Sequence, residues 1–160
     1  MEGPATDPHA FRDALALFPV GVTVVSTQTP DGPYGTTVTA FSALSLDPPM
    51  VLAALAADSR VLGFIRDRGR FAVSFLRDGQ ASIARALAAT TEKAVSVCDW
   101  EVHGGMPVVA GARVQLVADL SDVLPGGDHF VIYGRVSHSV LADRDRAPLV
   151  YYDRAFSNVT

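Results

Sequence analysis

The sequence of 160 residues contains few charges, one cysteine and no long apolar run. The single cysteine, Cys98, cannot form an intramolecular disulfide, and a domain of this length buries enough surface to fold without one. We expect Cys98 to be a buried packing residue rather than a nucleophile. The length predicts a single domain over residues 1–160, with its core at about 11–152.

Signals for membrane insertion or export are also missing. The most apolar stretch, residues 50–57, has about eight residues, whereas a helix that spans a bilayer needs roughly 20. Residues 1–8 contain Glu2 and Asp7 and lack the basic start and apolar segment of a signal peptide. The sequence therefore predicts no membrane contact and a cytoplasmic location.

Basic blocks are absent as well. The 13 Lys and Arg residues against 17 Asp and Glu give a net charge of −4, so we do not expect a nucleic-acid partner. Charged residues make up 19% of the chain, below the roughly 25% of an average soluble domain, and the mean hydropathy is +0.25. Either the core is unusually large, or apolar surface is covered by another molecule.

Common catalytic motifs are not present either. The chain has no G-x-S-x-G elbow, no H-E-x-x-H, no P-loop and no G-x-G-x-x-G after a strand. The four histidines, at positions 9, 103, 129 and 138, lack the paired spacing of metal ligands, so no metal site is predicted. A bound organic cofactor is then the most economical source of chemistry.

What is present is mainly strand-like sequence. Asp7 and Pro8 predict the start of a helix that carries one apolar stripe to about residue 18, and further helices are predicted after Ser59 and over 79–89. Extended patterns cover residues 20–28, 34–44, 50–56, 70–76, 108–123, 130–141 and 149–152. The first two predict a hairpin, 50–56 predicts a strand buried on both faces, and 108–123 should pair antiparallel with 130–141. The pattern favours a mostly antiparallel, barrel-like β domain with peripheral helices.

Three places in this pattern are candidates for ligand binding. Residues 35–45 are dense in small side chains and hydroxyls, which suit a flat ligand or an ordinary strand. Ser59, at a predicted helix N-terminus, suits a phosphate or a simple N-cap, although Asp58 would repel an anion. Asp128 and His129 follow Gly127 in a predicted hairpin turn, where an imidazole can meet a ligand.

Taken together, these segments resemble the short-chain flavin reductases. The resemblance is carried, in the family's order, by residues 18–27 (FPVGVTVVST), 37–52 (TVTAFSALSLDPPMVL), 69–76 (GRFAVSFL), Gln80 and 127–129 (GDH). It implies a six-stranded antiparallel split β-barrel with Greek-key topology. It also implies a homodimer that binds FMN or FAD near its interface.

The resemblance assigns roles to individual residues. Those expected along the flavin ring are Thr37, Val38, Thr39, Ala40, Phe41 and Ser45. Those expected near the ribityl chain and phosphate are Ala54, Leu55, Ala56 and Ser59. Gly127, Asp128 and His129 match the Gly-Asp-His motif associated with nicotinamide and flavin binding, with Asp128 and His129 as the catalytic candidates.

The implied activity is that of an NAD(P)H:flavin oxidoreductase that supplies reduced flavin to a partner monooxygenase. Hydride transfer from NADH or NADPH needs geometry rather than an acid or base, which fits the missing catalytic motifs. Two alternatives are a flavin-bound enzyme that acts directly on an organic substrate and a non-catalytic flavin or electron carrier. A homodimer interface would account for the apolar excess.

Some positions differ from the family's pattern. Val61 replaces a second hydroxyl after Ser59, Ser74 stands where asparagine is common, and Phe156 stands where tyrosine is frequent. Arg113 brings a charge into a usually apolar segment. These differences fall mainly where a nicotinamide or a second substrate would bind.

Overall fold

The computed structural model describes residues 6–89, 96 and 98–159, which form three short helices and twelve strands. The helices are α1 (Pro8–Ala16), α2 (Arg60–Arg68) and α3 (Ala81–Ala88). The strands are β1 (Val20–Gly21), β2 (Thr23–Thr29), β3 (Gly32–Val38), β4 (Phe41–Leu46), β5 (Pro49–Ala56), β6 (Arg70–Phe75), β7 (Trp100–His103), β8 (Met106–Val109), β9 (Val114–Gly126), β10 (His129–Leu141), β11 (Leu149–Tyr152) and β12 (Ala155–Asn158). The prediction of a mainly β protein with peripheral helices is confirmed.

One large antiparallel sheet dominates the fold. Its strand order is β3-β2-β6-β9-β10-β5-β4, and two small sheets, β1-β11-β12 and β7-β8, accompany it. The sheet has seven strands, and the six-stranded barrel stays a prediction. Within the described residues no strand pairing joins the edge strands β3 and β4, so hydrogen bonds do not close this sheet into a ring.

The two longest strands, β9 and β10, form a hairpin and confirm the predicted antiparallel pair. They are each 13 residues long, and their pairing starts at Gly126 and His129. Gly127 has a φ of +65°, in the left-handed region that glycine adopts without a steric penalty. The strands therefore run up to the turn itself, and the turn places His129 at the start of β10.

Strand β5 departs from its prediction. It was expected to be buried on both faces, but burial alternates along it: Val51, Ala53 and Leu55 are buried, while Leu52 and Ala54 are half-buried. The second face borders cavities, which Leu52, Ala54 and Ala56 line. An apolar run without alternation can therefore mark a strand with one face along a cavity as well as a doubly buried one.

The run 34–44, predicted as one strand, is two strands. The predicted hairpin with the preceding strand is confirmed, since Thr29 of β2 pairs with Gly32 of β3. The chain leaves β3 after Val38, and the Ala40 carbonyl then accepts the Ala54 N–H at 2.9 Å beside β5. This change of partner brings residues 39–40 next to the C-terminal half of β5.

Helix α1 begins as predicted. The Asp7 side chain accepts the N–H of His9 at 3.1 Å, and Pro8 occupies the first turn. No residue of the helix is buried, and Phe11 and the nearby Phe18 are 55% and 66% exposed. The apolar stripe is therefore uncovered in the single chain.

Helices α2 and α3 pack on the sheet through apolar residues at helical spacing. Val61, Leu62 and Ile65 of α2 are buried, and the helix ends at Gly69 in a left-handed conformation. Ala84 and Leu87 of α3 are buried against the core. Strands β7 and β12 were not predicted, and the run 108–123, predicted as one strand, holds the end of β8 and most of β9.

Cys98 is buried, as expected, with 6% exposure. Burial raises the pKa of its thiol to about 11, and the negative charge of Asp99 adds to the effect. A protonated, enclosed thiol is a poor nucleophile. Among the described helices, none has the length and apolar character needed to cross a membrane.

Candidate functional site

A cavity of about 450 Å³ lies where the ends of β3 and β5 meet the N-terminus of α2 and the start of β10. Nine residues predicted from the sequence line it: Thr37, Val38, Thr39, Ala40, Ala54, Leu55, Ala56, Ser59 and His129. They come from four separate segments of the chain. The fold therefore gathers most of the predicted site into one place.

Small residues create the space between β3 and β5. Thr39 and Ala40 are exposed, and Ala54 and Ala56 project methyl groups from the half-buried face of β5. Because these side chains are short, a ligand can approach the backbone closely. The cavity wall is thus suited to a flat ring held by main-chain groups.

The opposite end of the cavity is formed by the first turn of α2. Ser59 occupies the N-cap position in extended geometry, but its side chain makes no capping hydrogen bond. The Ser59 hydroxyl is therefore available to an anion, which the helix dipole also attracts. Arg60 lines the cavity with a cation, whereas Asp58 lines it with a carboxylate.

The turn before β10 positions the histidine. The Ala57 N–H donates to the Asp128 carbonyl at 3.0 Å, which ties the turn to the end of β5. His129 Nδ1 lies 2.7 Å from Asp128 Oδ1. Because a carboxylate can only accept, Nδ1 carries the proton of this bond, and Nε2 remains for a ligand.

The same contact changes the acidity of the aspartate. Asp128 is 94% exposed, while His129 is 45% exposed and lines the cavity. The hydrogen bond from His129, helped by its charge, lowers the pKa of Asp128 below its ordinary value of 3.8. Asp128 is therefore an ionised group that holds the imidazole ring from the solvent side.

With this geometry in place, comparison with known proteins identifies the family. Residues 15–160 match the flavin reductase like domain. The chain belongs to the flavin reductase-like family. The resemblance to short-chain flavin reductases is confirmed.

Individual flavin reductase relatives align over most of the chain. The reductase component of 4-hydroxyphenylacetate 3-monooxygenase from Thermus thermophilus is 35% identical over 148 residues, covering 92% of this chain and 94% of the relative. A probable flavin reductase of Rhizobium meliloti is 34% identical over 139 residues, covering 86% of this chain. The match spans 45% of that relative's length.

A solved structure shares the fold. The NADH:FAD oxidoreductase SgcE6 of Streptomyces globisporus C-1027, in complex with NAD and FAD fragments, superposes with a TM-score of 0.89. It is 29% identical, and the match covers 99% of this chain and 98% of that one. The overall arrangement described above is therefore that of a flavin reductase.

Other residues predicted for this flavin reductase-like site lie next to the cavity or away from it. Gly127 and Asp128 form the turn behind His129, and Phe41 lines neighbouring cavities of about 330 and 720 Å³. Ser45 lies at an irregularity of β4 opposite Met50, four residues from Ala54 along β5. Its contact with flavin stays a prediction.

Hydroxyl groups on β3 and just after it divide into two kinds. Thr36 and Thr37 donate to the carbonyls of Leu87 and Ala84 in α3, at 3.3 and 2.7 Å. The Thr39 hydroxyl makes no hydrogen bond to the described part of the chain. Thr37 thus meets the cavity with a side chain that is already engaged, whereas Thr39 does not.

Thr39 also marks how the cavities connect. It lines the 450 Å³ cavity and three neighbouring cavities, of about 330, 610 and 720 Å³. Arg60 and Ala88, which line the first cavity, were not predicted as site residues. The position of Arg60 directly after Ser59 was a usable signal, whereas nothing local marks Ala88.

His103 and His138 make local contacts. His103 Nε2 lies 3.4 Å from a carboxylate oxygen of Glu101, and the His138 ring packs closely over Gly104. In the described ranges, no group of three or more His, Cys, Asp or Glu side chains has the geometry of a metal site.

Proposed function

We propose that this protein is an NAD(P)H:flavin oxidoreductase that reduces FMN or FAD and supplies the reduced flavin to a partner monooxygenase. One observation carries the proposal: the cavity brings an anion-binding helix terminus, a wall of small residues and His129 together. Membership of the flavin reductase-like family supports it, and the relative from Thermus thermophilus is the reductase component of a monooxygenase.

The residues present fit a flavin. The volume of about 450 Å³ lies within the usual range of small-molecule sites. Ser59 and the first turn of α2 would hold the phosphate, and the backbone of Thr39 and Ala40 would lie along the ring. Ala54 and Ala56 leave the space that a planar ring requires.

The histidine would act by positioning. Asp128 fixes the ring of His129, which lines the cavity, through Nδ1, and Nε2 would be left to face a ligand. From there Nε2 would orient the nicotinamide or hold a proton beside the flavin. The flavin, when bound, supplies the hydride acceptor and carries the reducing equivalents to the monooxygenase. No other acid or base is required from the protein.

The proposed activity is tested by mixing the purified protein with NADH or NADPH and excess FMN or FAD without oxygen. We expect catalytic bleaching of many equivalents of flavin. Bleaching limited to one equivalent per chain would support a flavin-bound enzyme or carrier instead. Absence of flavin binding would contradict the proposal and both alternatives.

The role of His129 has its own test. We expect His129→Ala to slow oxidation of the nicotinamide more than it weakens flavin binding, because the ring positions the donor. Stopped-flow reduction and flavin titration measure the two effects separately. Unchanged reduction kinetics in the variant would remove His129 from the mechanism.

A homodimer completes the proposal. Leu15 of α1 and the nearby Phe18 are exposed and line the groove of about 720 Å³ that Phe41 and Ala54 also line, and a second copy of the chain would cover them. We expect Leu15→Glu to give monomers that bind flavin poorly in light-scattering and titration experiments. Val102→Glu, at an exposed apolar position on β7, is the matched control and should leave the dimer intact.

We also propose that the large sheet curls into the split β-barrel implied by the family resemblance, with six of its strands forming the barrel. Strands β3 and β5 stand far apart in the sheet order. Nevertheless Val38 of β3 and Val51 and Leu55 of β5 share one hydrophobic cluster. A crystal structure would test this arrangement together with the dimer.

A further inference from the structure

A second cavity opens beside the proposed flavin cavity, between β3, α3 and the β11–β12 hairpin. Its volume is about 610 Å³, and Thr37, Thr39 and Ala88 line both spaces. The remaining lining consists of two arginines, two aromatic residues and an alanine: Arg85, Arg154, Tyr151, Phe156 and Ala155. Among the described residues, no acidic side chain lines it. The cavity therefore combines positive charge with aromatic surface.

Arg85 projects from the last turn of α3. Its guanidinium carbon lies 5.1 Å from the centre of the Phe156 ring, and Phe156 in turn meets Tyr151 edge-on at 5.3 Å. In the described part of the chain, no carboxylate pairs with Arg85. The ring orients the guanidinium without neutralising it, so its N–H groups remain able to bind an anion.

Arg154 is held in an uncommon backbone conformation. Asp153 and Arg154, the turn residues of the β11–β12 hairpin, have φ angles of +46° and +61°. Such hairpin turns favour Asn-Gly, because other residues resist positive φ. The turn is anchored by the Asp153 N–H, which donates to the Ala16 carbonyl at 2.7 Å, and by an ion pair between Arg154 and Asp13. These contacts fix the arginine between the cavities.

We propose that Arg85 and Arg154 bind the diphosphate of a dinucleotide, with its adenine ring against Phe156 and Tyr151. A planar guanidinium group can donate two parallel N–H hydrogen bonds to the oxygens of one phosphate. The flat adenine ring can stack on an aromatic side chain. The inference rests on the proposed function, which supplies two such ligands: the nicotinamide coenzyme and FAD. FMN has no diphosphate, and this difference separates the two sources.

The first experiment uses Arg85→Gln and Arg154→Gln in the full chain, with NADH as donor and FMN as acceptor. If the coenzyme's diphosphate binds there, KM for NADH rises about tenfold, kcat changes less than twofold and the Kd of FMN stays constant. If FAD's diphosphate binds there, the Kd of FAD rises about tenfold while KM for NADH stays constant. Both outcomes support the site, and unchanged values of both constants in Arg85→Gln overturn it.

Two controls separate charge from folding. Arg66 also lies over an aromatic ring, with its guanidinium carbon 4.6 Å from the centre of Phe130, but it does not line these cavities. We expect Arg66→Gln to leave both constants unchanged, and Arg85→Lys to recover part of the lost affinity. Added salt should raise the affected constant, KM for NADH or the Kd of FAD, more in the wild type than in Arg85→Gln, because salt screens exposed charges. Equal salt dependence would contradict a charge-based site.

These measurements also separate a failure of the arginine site from a failure of the proposed flavin reductase activity. If the wild type fails to reduce flavin with either coenzyme, the function fails, yet calorimetric titration with NAD⁺ and FAD still tests the arginines. Loss of that binding in Arg85→Gln would support the site by itself. If the wild type reduces flavin normally and the variants change neither constant, the inference fails and the function stands.

Discussion

Hydroxyl side chains differ between the packed middle of the large sheet and its cavity-bearing end. In the middle, the Ser26 hydroxyl donates to the Pro107 carbonyl at 2.6 Å, and the Ser74 oxygen accepts the Val109 N–H at 2.9 Å. At the cavity, the hydroxyls of Thr39 and Ser59 have no partner in the described part of the chain. The same residue types thus stabilise the fold in one region and remain available to a ligand in the other.

The largest expected effect is a loss of stability when a side chain is added in the closely packed middle of the sheet. A Cβ atom added at Gly134 would lie 2.4 Å from Phe71 Cζ and 2.8 Å from Ala118 Cβ. Phe71 is fully buried and cannot move aside. We expect Gly134→Ala to lower the free energy of unfolding by about 3 kcal/mol in urea titrations.

A matched substitution shows whether this effect comes from packing. Gly63 in α2 has nothing within 4 Å of its added Cβ. Gly63→Ala should therefore raise the free energy of unfolding by about 0.5–1 kcal/mol, the usual gain for alanine in a helix. Equal effects of the two variants would contradict the difference in packing.

Next in size is the loss of a buried hydroxyl. Ser74→Ala leaves the Val109 N–H unpaired inside the protein, and we expect the free energy of unfolding to fall by about 2 kcal/mol. Flavin affinity should be unchanged. Ser59→Ala should instead lower flavin affinity and change the free energy of unfolding by less than about 0.5 kcal/mol. A larger loss of stability in Ser59→Ala than in Ser74→Ala would contradict the difference between the two regions.

Two neighbouring threonines provide a smaller test. Thr37→Val removes the 2.7 Å hydrogen bond to Ala84 and should cost about 1 kcal/mol of stability, because α3 loses a tie to β3. Thr39→Val removes no such bond. Thermal unfolding of both variants measures the difference, and equal melting temperatures would contradict it.

The smallest expected effect concerns Asp128. Because the pKa of Asp128 is lowered from 3.8, its carboxylate stays ionised at pH values somewhat below 3.8. The contribution of Asp128 to folding is therefore present above pH 3.8 and is lost as the pH falls through the lowered pKa. In His129→Ala the pKa should return towards 3.8. Carboxyl-carbon NMR titration measures it, and an unchanged pKa would show that His129 is not the cause.

Much of the fold could be predicted, because the signals are local. Asp7 and Pro8 mark the start of α1, Gly69 ends α2, and the glycine-rich turn before His129 separates β9 from β10. Each depends on residues close in the chain. The number of strands was harder to predict from the sequence. The run 34–44 is divided at residues 39–40 because the chain changes its pairing partner there, and no local residue signal marks that change.

The site was predictable in part. Motif resemblance picked out nine residues that line one cavity, since the family preserves their order along the chain. Whether a hydroxyl is engaged depends on tertiary neighbours, so sequence could not separate Thr37, which α3 occupies, from Thr39. Arg85 and Arg154 come together only through the placement of α3 beside the last hairpin.

The central claim is that the hydroxyls of Ser59 and Thr39, which have no partner in the described part of the chain, bind the flavin phosphate and ring. Its most direct test is titration of FMN fluorescence with the wild type and with the double variant Thr39→Val, Ser59→Ala. We expect the Kd of the double variant to rise at least about tenfold with an unchanged melting temperature. Equal Kd values for the two proteins would contradict the claim.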